Sequence, residues 1–242
     1  MARALELAWR GWGRVQPNPL VGAVILGRDG AVAGEGWHAE FGERHAEAAA
    51  LAMAGERARG GTVVVTLEPC NHQGKQPPCT EAIVAAGVRR VVAASPDPNP
   101  EAGGGAARLG GSGIAVEVGL ARDQADAQNA VFRHRFRNPA RPFVALKLAT
   151  SIDGRIADAS GQSRWVSGEA AREYVHWLRA GFDAIGVGGR TARHDDPQLT
   201  VRGPVVPRVP PRRVIFHAGA DLDPALAAVR TARDIPTLLV TA

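Results

Sequence analysis

Three short stretches of this 242-residue chain carry side chains able to do metal chemistry: His45-Ala46-Glu47, Pro69-Cys70 and Pro77-Pro78-Cys79. Imidazole nitrogen and thiolate sulfur are preferred donors for zinc, and a catalytic zinc site keeps three protein ligands and one open position for water. His45, Cys70 and Cys79 supply that number. Two thiolates and a neutral imidazole neutralise the ion yet still let it acidify the water. Structural sites are usually closed by four ligands, so three ligands beside a carboxylate argue for catalysis. His at i and Glu at i+2 do not share a face in mid-helix. At a helix start, however, His45 can point at the metal while Glu47 reaches the water and moves protons.

These groups need elements to carry them. The sequence predicts a helix over 1–13, with Leu5, Ala8, Trp9 and Trp12 on one face. Pro17 and Pro19 stop it. The apolar run 20–26, the turn Arg28-Asp29-Gly30 and the return 31–37 read as a hairpin. An Ala-rich helix is expected over 44–53, with His45 and Glu47 near its start. The β-branched run 62–67 reads as a buried strand ending just before Cys70. Cys79 opens a helix that Gly87 closes, and a helix N-terminus favours a thiolate. Strands at 88–94 and 114–118 follow, separated by an irregular loop and a Gly-rich stretch at 103–113. This order favours a layered α/β domain with helices on both sheet faces. After the linker-like run 138–142, strands are expected at 143–149, 182–187, 213–216 and 237–240. Helices are expected at 169–179 and near 224–231, with a Gly-rich turn after 187.

The charge of +5 permits an anionic partner, but the positive residues are scattered apart from Arg133, Arg135 and Arg137. A small phosphorylated ligand fits that pattern; a nucleic acid or a membrane is not expected. The first 13 residues include Arg3, Glu6 and Arg10, so they lack the apolar run of a secretory signal. Two cysteines in a cytoplasmic protein point to metal binding or catalysis rather than a disulfide.

The arrangement H-x-E … P-C … C resembles the zinc deaminase signature, whose Glu carries protons and is not a ligand. In that signature two residues separate the cysteines, whereas here eight residues separate Cys70 and Cys79. Together with Pro17-Asn18-Pro19-Leu20-Val21-Gly22, Thr66-Leu67-Glu68-Pro69-Cys70 and Asp97-Pro98-Asn99-Pro100, the longer loop resembles one family in particular. That is the bifunctional riboflavin biosynthesis family, which joins a diaminohydroxyphosphoribosylaminopyrimidine deaminase to a 5-amino-6-(5-phosphoribosylamino)uracil reductase. The resemblance implies a cytidine-deaminase-like three-layer α/β/α domain over 1–138 and a dihydrofolate-reductase-like α/β domain over 142–242.

Within the first domain it implies zinc on His45, Cys70 and Cys79, with Glu47 catalytic. Asn18, His72, Lys75, Asp97 and Asn99 would hold a phosphorylated pyrimidine, Lys75 through its phosphate. Taken singly, Asp97 and Asn99 would read as turn formers among prolines. In the second domain Lys147-Leu148-Ala149-Thr150-Ser151-Ile152-Asp153-Gly154 resembles the opening of the reductase. Thr150, Trp165, Thr191 and Asp195 would then line an NADPH site. Ser163, Arg179, Leu199 and Arg202 would line the reductase substrate site. The family's reductase domain is longer than 142–242, so this part is expected to be partial, with an open sheet edge, and inactive as a reductase on its own. Two other readings stand beside this one: a deaminase acting on tRNA or free cytidine, and a zinc-stabilised binding protein without turnover. A homo-oligomer is left open.

Overall fold

The structure is a computed structural model, and it describes residues 1–163, 166–219 and 221–241. The chain folds as two compact units, Met1–Val144 and Ala145–Ala242.

In the first unit the elements run α1 (Ala2–Ala8), β1 (Gly22–Leu26), β2 (Val32–Trp37), α2 (Ala46–Ala54), β3 (Thr62–Leu67), α3 (Cys79–Ala85) and β4 (Arg90–Ser95). They continue with α4 (Gly105–Gly111), β5 (Ala115–Val118), α5 (Arg122–Gln128) and α6 (Ala130–Arg137). The strands form one sheet in the order β2-β1-β3-β4-β5. β1 pairs antiparallel with β2 and β3, while β3-β4 and β4-β5 are parallel. Alternation along the strands divides the core. Ala23, Ile25, Val63, Val65 and Val91 meet Leu51, Ile83 and Leu109 from the helices on one face. Val24 and Val64 meet Ala4 and Leu7 of α1 on the other. Helices therefore cover both faces, as the β-branched pattern of β3 requires.

The glycines of β2 set how closely α2 can approach. A Cβ on Gly34 would lie 2.3 Å from the Ala50 carbonyl oxygen, and one on Gly36 would lie 2.4 Å from that of Ala46. With alanines facing glycines, the backbone of α2 rests almost directly on β2. That contact fixes where the first turn of α2, with Glu47, comes out over the sheet edge.

The Gly-rich stretch at 103–113 is a helix for most of its length, and α5 and α6 follow without a sequence-level expectation. Glycine lowers helix propensity, yet packing decides here. A Cβ on Gly105 would lie 1.8 Å from the Pro69 carbonyl oxygen, so only glycine lets α4 begin against the cysteine-bearing loop.

The second unit contains α7 (Glu169–Ala180), β6 (Ala184–Gly188), α8 (Gly189–Asp195), β7 (Arg212–Phe216), α9 (Ala227–Arg230) and β8 (Thr237–Val240). Its three parallel strands lie in the order β6-β7-β8. One face packs Ile215 against Ala192 and Ala228, with Val187 and Leu239 alongside. The opposite face leaves Phe216 and Leu238 exposed. Two expectations are corrected. Residues 143–149 are irregular and largely exposed rather than a strand, because no strand of the sheet pairs with them. The Gly-rich turn after β6 instead opens directly into α8.

Candidate metal centre and substrate cavity

His45, with extended backbone, is the N-cap of α2, and Glu47 lies in the first turn. Cys70 follows β3 and Cys79 begins α3. The two cysteine segments are tied together. The Thr80 N–H donates to the Cys70 carbonyl at 3.3 Å, and the Thr80 hydroxyl donates to Asn71 Oδ1 at 3.0 Å. The Cys79 N–H points at Cys70 Sγ from 3.4 Å. The loop 71–78 can therefore protrude without separating the sulfurs.

His45 Nδ1 lies 3.5 Å from Cys70 Sγ and 3.3 Å from Cys79 Sγ. Ordinary zinc–sulfur and zinc–nitrogen lengths at a tetrahedral angle put such atoms about 3.6 Å apart. The donor types, their spacing and the burial of both cysteines thus fit one zinc ion. Within this cluster the Cys70 thiol is drawn down, chiefly by the hydrogen bond from Cys79 and also by His45. Cys79 is pushed up by sharing that bond and by burial. His45 is raised, first by its bond to Cys70. Glu47 is 4% exposed. Burial above all pushes its carboxyl up to about 7, a value suited to taking and returning a proton near neutral pH.

A cavity of about 220 Å³ opens beside the cluster, with His45, Glu47 and Cys70 in its wall. Asn18, His72, Lys75, Asp97 and Asn99 line it too, so the structure gathers all five from three separate loops. Their partners differ. The Asn18 amide donates to His38 Nε2 at 3.2 Å, and His38 Nδ1 in turn donates to the Arg44 carbonyl at 3.1 Å. This chain of bonds fixes one neutral tautomer, and burial lowers the His38 pKa in agreement. His72 Nδ1 is buried without a partner among the described residues, an acceptor or donor left for a ligand. Lys75 Nζ sits 4.0 Å above the Phe41 ring. Asp97 Oδ1 accepts the Asn99 N–H at 2.9 Å, and burial raises this carboxyl to about 6.

Among the cavity residues that were not anticipated, His38, Glu68 and Gln76 hold its loops in place. His38 follows β2 as a lone histidine, which looks like any surface residue until Asn18 is folded against it. Glu68 accepts the N–H groups of Asp97 at 3.2 Å and Ala106 at 2.9 Å, so it joins the β4 loop to the start of α4. Its place before Pro69-Cys70 was the only available signal. Gln76 donates to the Gly42 carbonyl at 2.8 Å and links the cysteine loop to the loop after β2.

In the second unit, Arg179 donates to the Thr200 carbonyl at 3.0 Å, beside the buried Leu199. Arg202 donates to Gln198 Oε1 at 2.6 Å and lies 3.3 Å from His176 Nε2. These three expected substrate residues therefore come together. Thr191 is exposed on α8, and Asp195 at its end contacts His194 at 2.8 Å. Thr150 and Ser163 lie on the irregular stretch before α7, with no hydrogen bond to that group among the described residues. Trp165 lies outside the described residues.

A zinc-type cluster at the ends of β3, α2 and α3, with a buried glutamate and a cavity beside it, defines a deaminase-type α/β domain. The family model described as the cytidine and deoxycytidylate deaminase zinc-binding region matches residues 1–95, and the RibD C-terminal domain matches 142–242. The riboflavin biosynthesis protein RibD of Escherichia coli is 52% identical over 203 residues, covering 84% of this chain and 55% of that protein. The RibD of Aquifex aeolicus is 41% identical over 100% of this chain and 67% of its own length. Among solved structures, RibD of Acinetobacter baumannii superposes with a TM-score of 0.82 at 39% identity, over 100% of this chain and 72% of that one. The deaminase/reductase of Thermotoga maritima gives 0.79 at 36% identity, over 100% and 79%. The chain belongs to the RibD family of riboflavin biosynthesis proteins. It spans 55–64% of the length of the RibD proteins of Escherichia coli and Bacillus amyloliquefaciens.

Proposed function

We propose that residues 1–138 catalyse the zinc-dependent hydrolytic deamination of 2,5-diamino-6-ribosylamino-4(3H)-pyrimidinone 5′-phosphate, a step of riboflavin biosynthesis. The carrying observation is the cluster of half-buried His45 with buried Cys70 and Cys79 next to Glu47, opening into the cavity that holds His72 and Lys75. In this reading His45, Cys70 and Cys79 are the ligands. Bound zinc supplies Lewis acidity that makes a water nucleophilic near neutral pH. Glu47, a buried carboxyl in the cavity wall, accepts that water's proton and delivers it to the departing amine. The ring C–NH₂ and water become C=O and ammonia. Asn18, held by His38, and the Asp97–Asn99 loop face the ring and ribose. His72 and Lys75 stand on the protruding loop, where they meet the phosphate. Lys75 suits that role because its ammonium rests on the Phe41 ring rather than on a carboxylate.

Residues 142–242 form the reductase-like part. Arg179, Leu199, Arg202 and Ser163 are assigned to its substrate, and Thr150, Trp165, Thr191 and Asp195 to NADPH. The support is the meeting of Arg179 with the segment that carries Leu199 and Arg202. A cytoplasmic setting, where both thiols stay reduced, belongs to the same reading.

The test is ammonia release by purified protein supplied with the diaminopyrimidine phosphate, cytidine or tRNA. Release from the first alone is expected; release from cytidine or tRNA at equal rates overturns the substrate assignment. NADPH titration, followed by NADPH oxidation with the deaminated product, tests the second part.

A further inference from the structure

Two walls of the cavity are fastened to one helix. Asn129, at the N-terminal end of α6, is 4% exposed. Its Oδ1 accepts the Leu20 N–H at 2.8 Å and its Nδ2 donates to the Leu20 carbonyl at 2.9 Å. The amide thus pairs with the backbone two residues beyond Asn18, as a neighbouring strand would. One turn later Arg133, also buried, donates from Nη1 to Ser95 Oγ at 2.9 Å and to the Pro96 carbonyl at 3.2 Å. The Asp126 carboxylate lies 3.2 Å from the same nitrogen and accepts the Ser95 hydroxyl. Asp97 and Asn99 follow directly. Between the two anchors, Phe132 reaches the cavity wall itself.

Stability alone does not account for this arrangement. A buried ion pair recovers little beyond its desolvation cost, and an apolar side chain of similar volume is often as good or better. The Arg133 hydrogen bonds to Ser95 and Pro96 are instead directed at the corner where β4 becomes the cavity wall, Asp126 on α5 holds the same Ser95 hydroxyl, and Arg133 Nε has no partner among the described residues. Residues at i and i+4 share a face, so Asn129 and Arg133 hold their two segments from one rigid surface.

We propose that α6 is a brace that sets the separation of the two polar walls, with Asn129 and Arg133 as positioning residues. Asn129 acts through Asn18, and Arg133 acts through Asp97 and Asn99. The inference rests on the deaminase reading for its kinetic test but not for its structural one.

The variant Arg133→Met keeps the volume and removes the directed bonds. It is expected to keep full zinc content and a kcat within about twofold, while KM rises about 10-fold, below the roughly 100-fold that a full 1 Å misplacement can cost. Arg133→Lys, which retains the charge and folds with less risk, gives an intermediate KM. In an Asp97→Ala background the change at Arg133 adds little, because both act on the same wall. Hydrogen exchange provides the readout that needs no substrate. Peptides covering 95–100 lose protection in Arg133→Met, and peptides covering 18–21 lose it in Asn129→Ala, while 62–67 stays protected in both. Unchanged KM and unchanged exchange overturn the proposal, as does loss of protection spread evenly into 62–67 with loss of zinc. If wild-type protein releases no ammonia from the diaminopyrimidine phosphate, the reaction assignment fails, and the exchange pattern still decides the brace.

Discussion

Glu47 and Asp97 are both carboxyls raised by burial, but they make different predictions. In the proposed reaction Glu47 carries the proton, so Glu47→Gln would keep its shape and lose its function. The variant is expected to bind zinc normally and to lose about 10²–10⁴-fold in turnover, checked as ammonia released per zinc. Wild-type release by that variant would remove Glu47 from the mechanism. Asp97 makes a prediction about stability. Its carboxyl titrates at about 6 in the fold, against about 3.9 in an unfolded chain. Between those values the folded state holds more protons, so stability falls as pH rises through the window and stays low above it. Asp97→Asn can still accept the Asn99 N–H. It should match wild type at about pH 4 and exceed it by roughly 2–3 kcal/mol at about pH 8, measured by denaturant titration. Equal stability at the higher pH would mean that burial does not oppose this charge. The metal cluster was legible in sequence because it combines scarce residue types with element starts. His38 and Glu68 were not, since each works only through a partner, Asn18 or the Asp97 amide, that is distant in sequence.

Among the elements, the contact between α2 and β2 carries the site. Strand β3, the β1-β2 hairpin and helices α2 and α3 were readable from β-branched runs, a turn signal and cap residues. Helices α4, α5 and α6 were not. Glycines mask α4, whose start is dictated by the approach of Gly105 to Pro69. Helix α6 shows a run of arginines and a histidine that looks solvent-facing, although Arg133 is buried on Ser95 and Asp126. The expected strand over 143–149 failed for the opposite reason: strand-like composition makes a strand only where it pairs, and among the described residues this stretch pairs with neither edge of the β6-β7-β8 sheet. The close packing of α2 gives a sharp prediction. In Gly36→Ala the new methyl would meet the Ala46 oxygen and, at 2.5 Å, the Ala50 nitrogen, both backbone atoms that cannot turn aside. Helix α2 must move outward and take His45 and Glu47 with it. Overpacking of this kind costs about 1–3 kcal/mol. Zinc affinity and ammonia release should both fall, whereas Gly110→Ala, in the ordinary helical backbone of α4 with nothing within 4 Å of its Cβ, should leave them nearly unchanged. Equal effects from the two variants would show that backbone approach is not what positions the cluster.

Across the whole molecule, the candidate ligands come from three places in the chain but from one unit. His45 and Cys79 are separated by 33 residues, and the sheet strand β3 lies between them. In an unfolded chain these donors are not preformed, so zinc binds the folded state preferentially and its binding energy becomes folding energy. Free zinc at a hundred times the dissociation constant should stabilise the first unit by about 2.7 kcal/mol. For a unit of this size that corresponds to a rise of roughly 5–10 °C in melting temperature. Calorimetry of zinc-loaded and chelator-treated protein measures the rise. Hydrogen exchange shows where it acts, and protection should be gained in Met1–Val144, above all in β3 and the first turns of α2 and α3. The Cys79→Ser variant should lose most of the rise, because a hydroxyl is a poor substitute for a thiolate on zinc. A melting temperature that ignores zinc, or a gain of protection confined to Ala145–Ala242, would sink the assignment of His45, Cys70 and Cys79 as the metal centre.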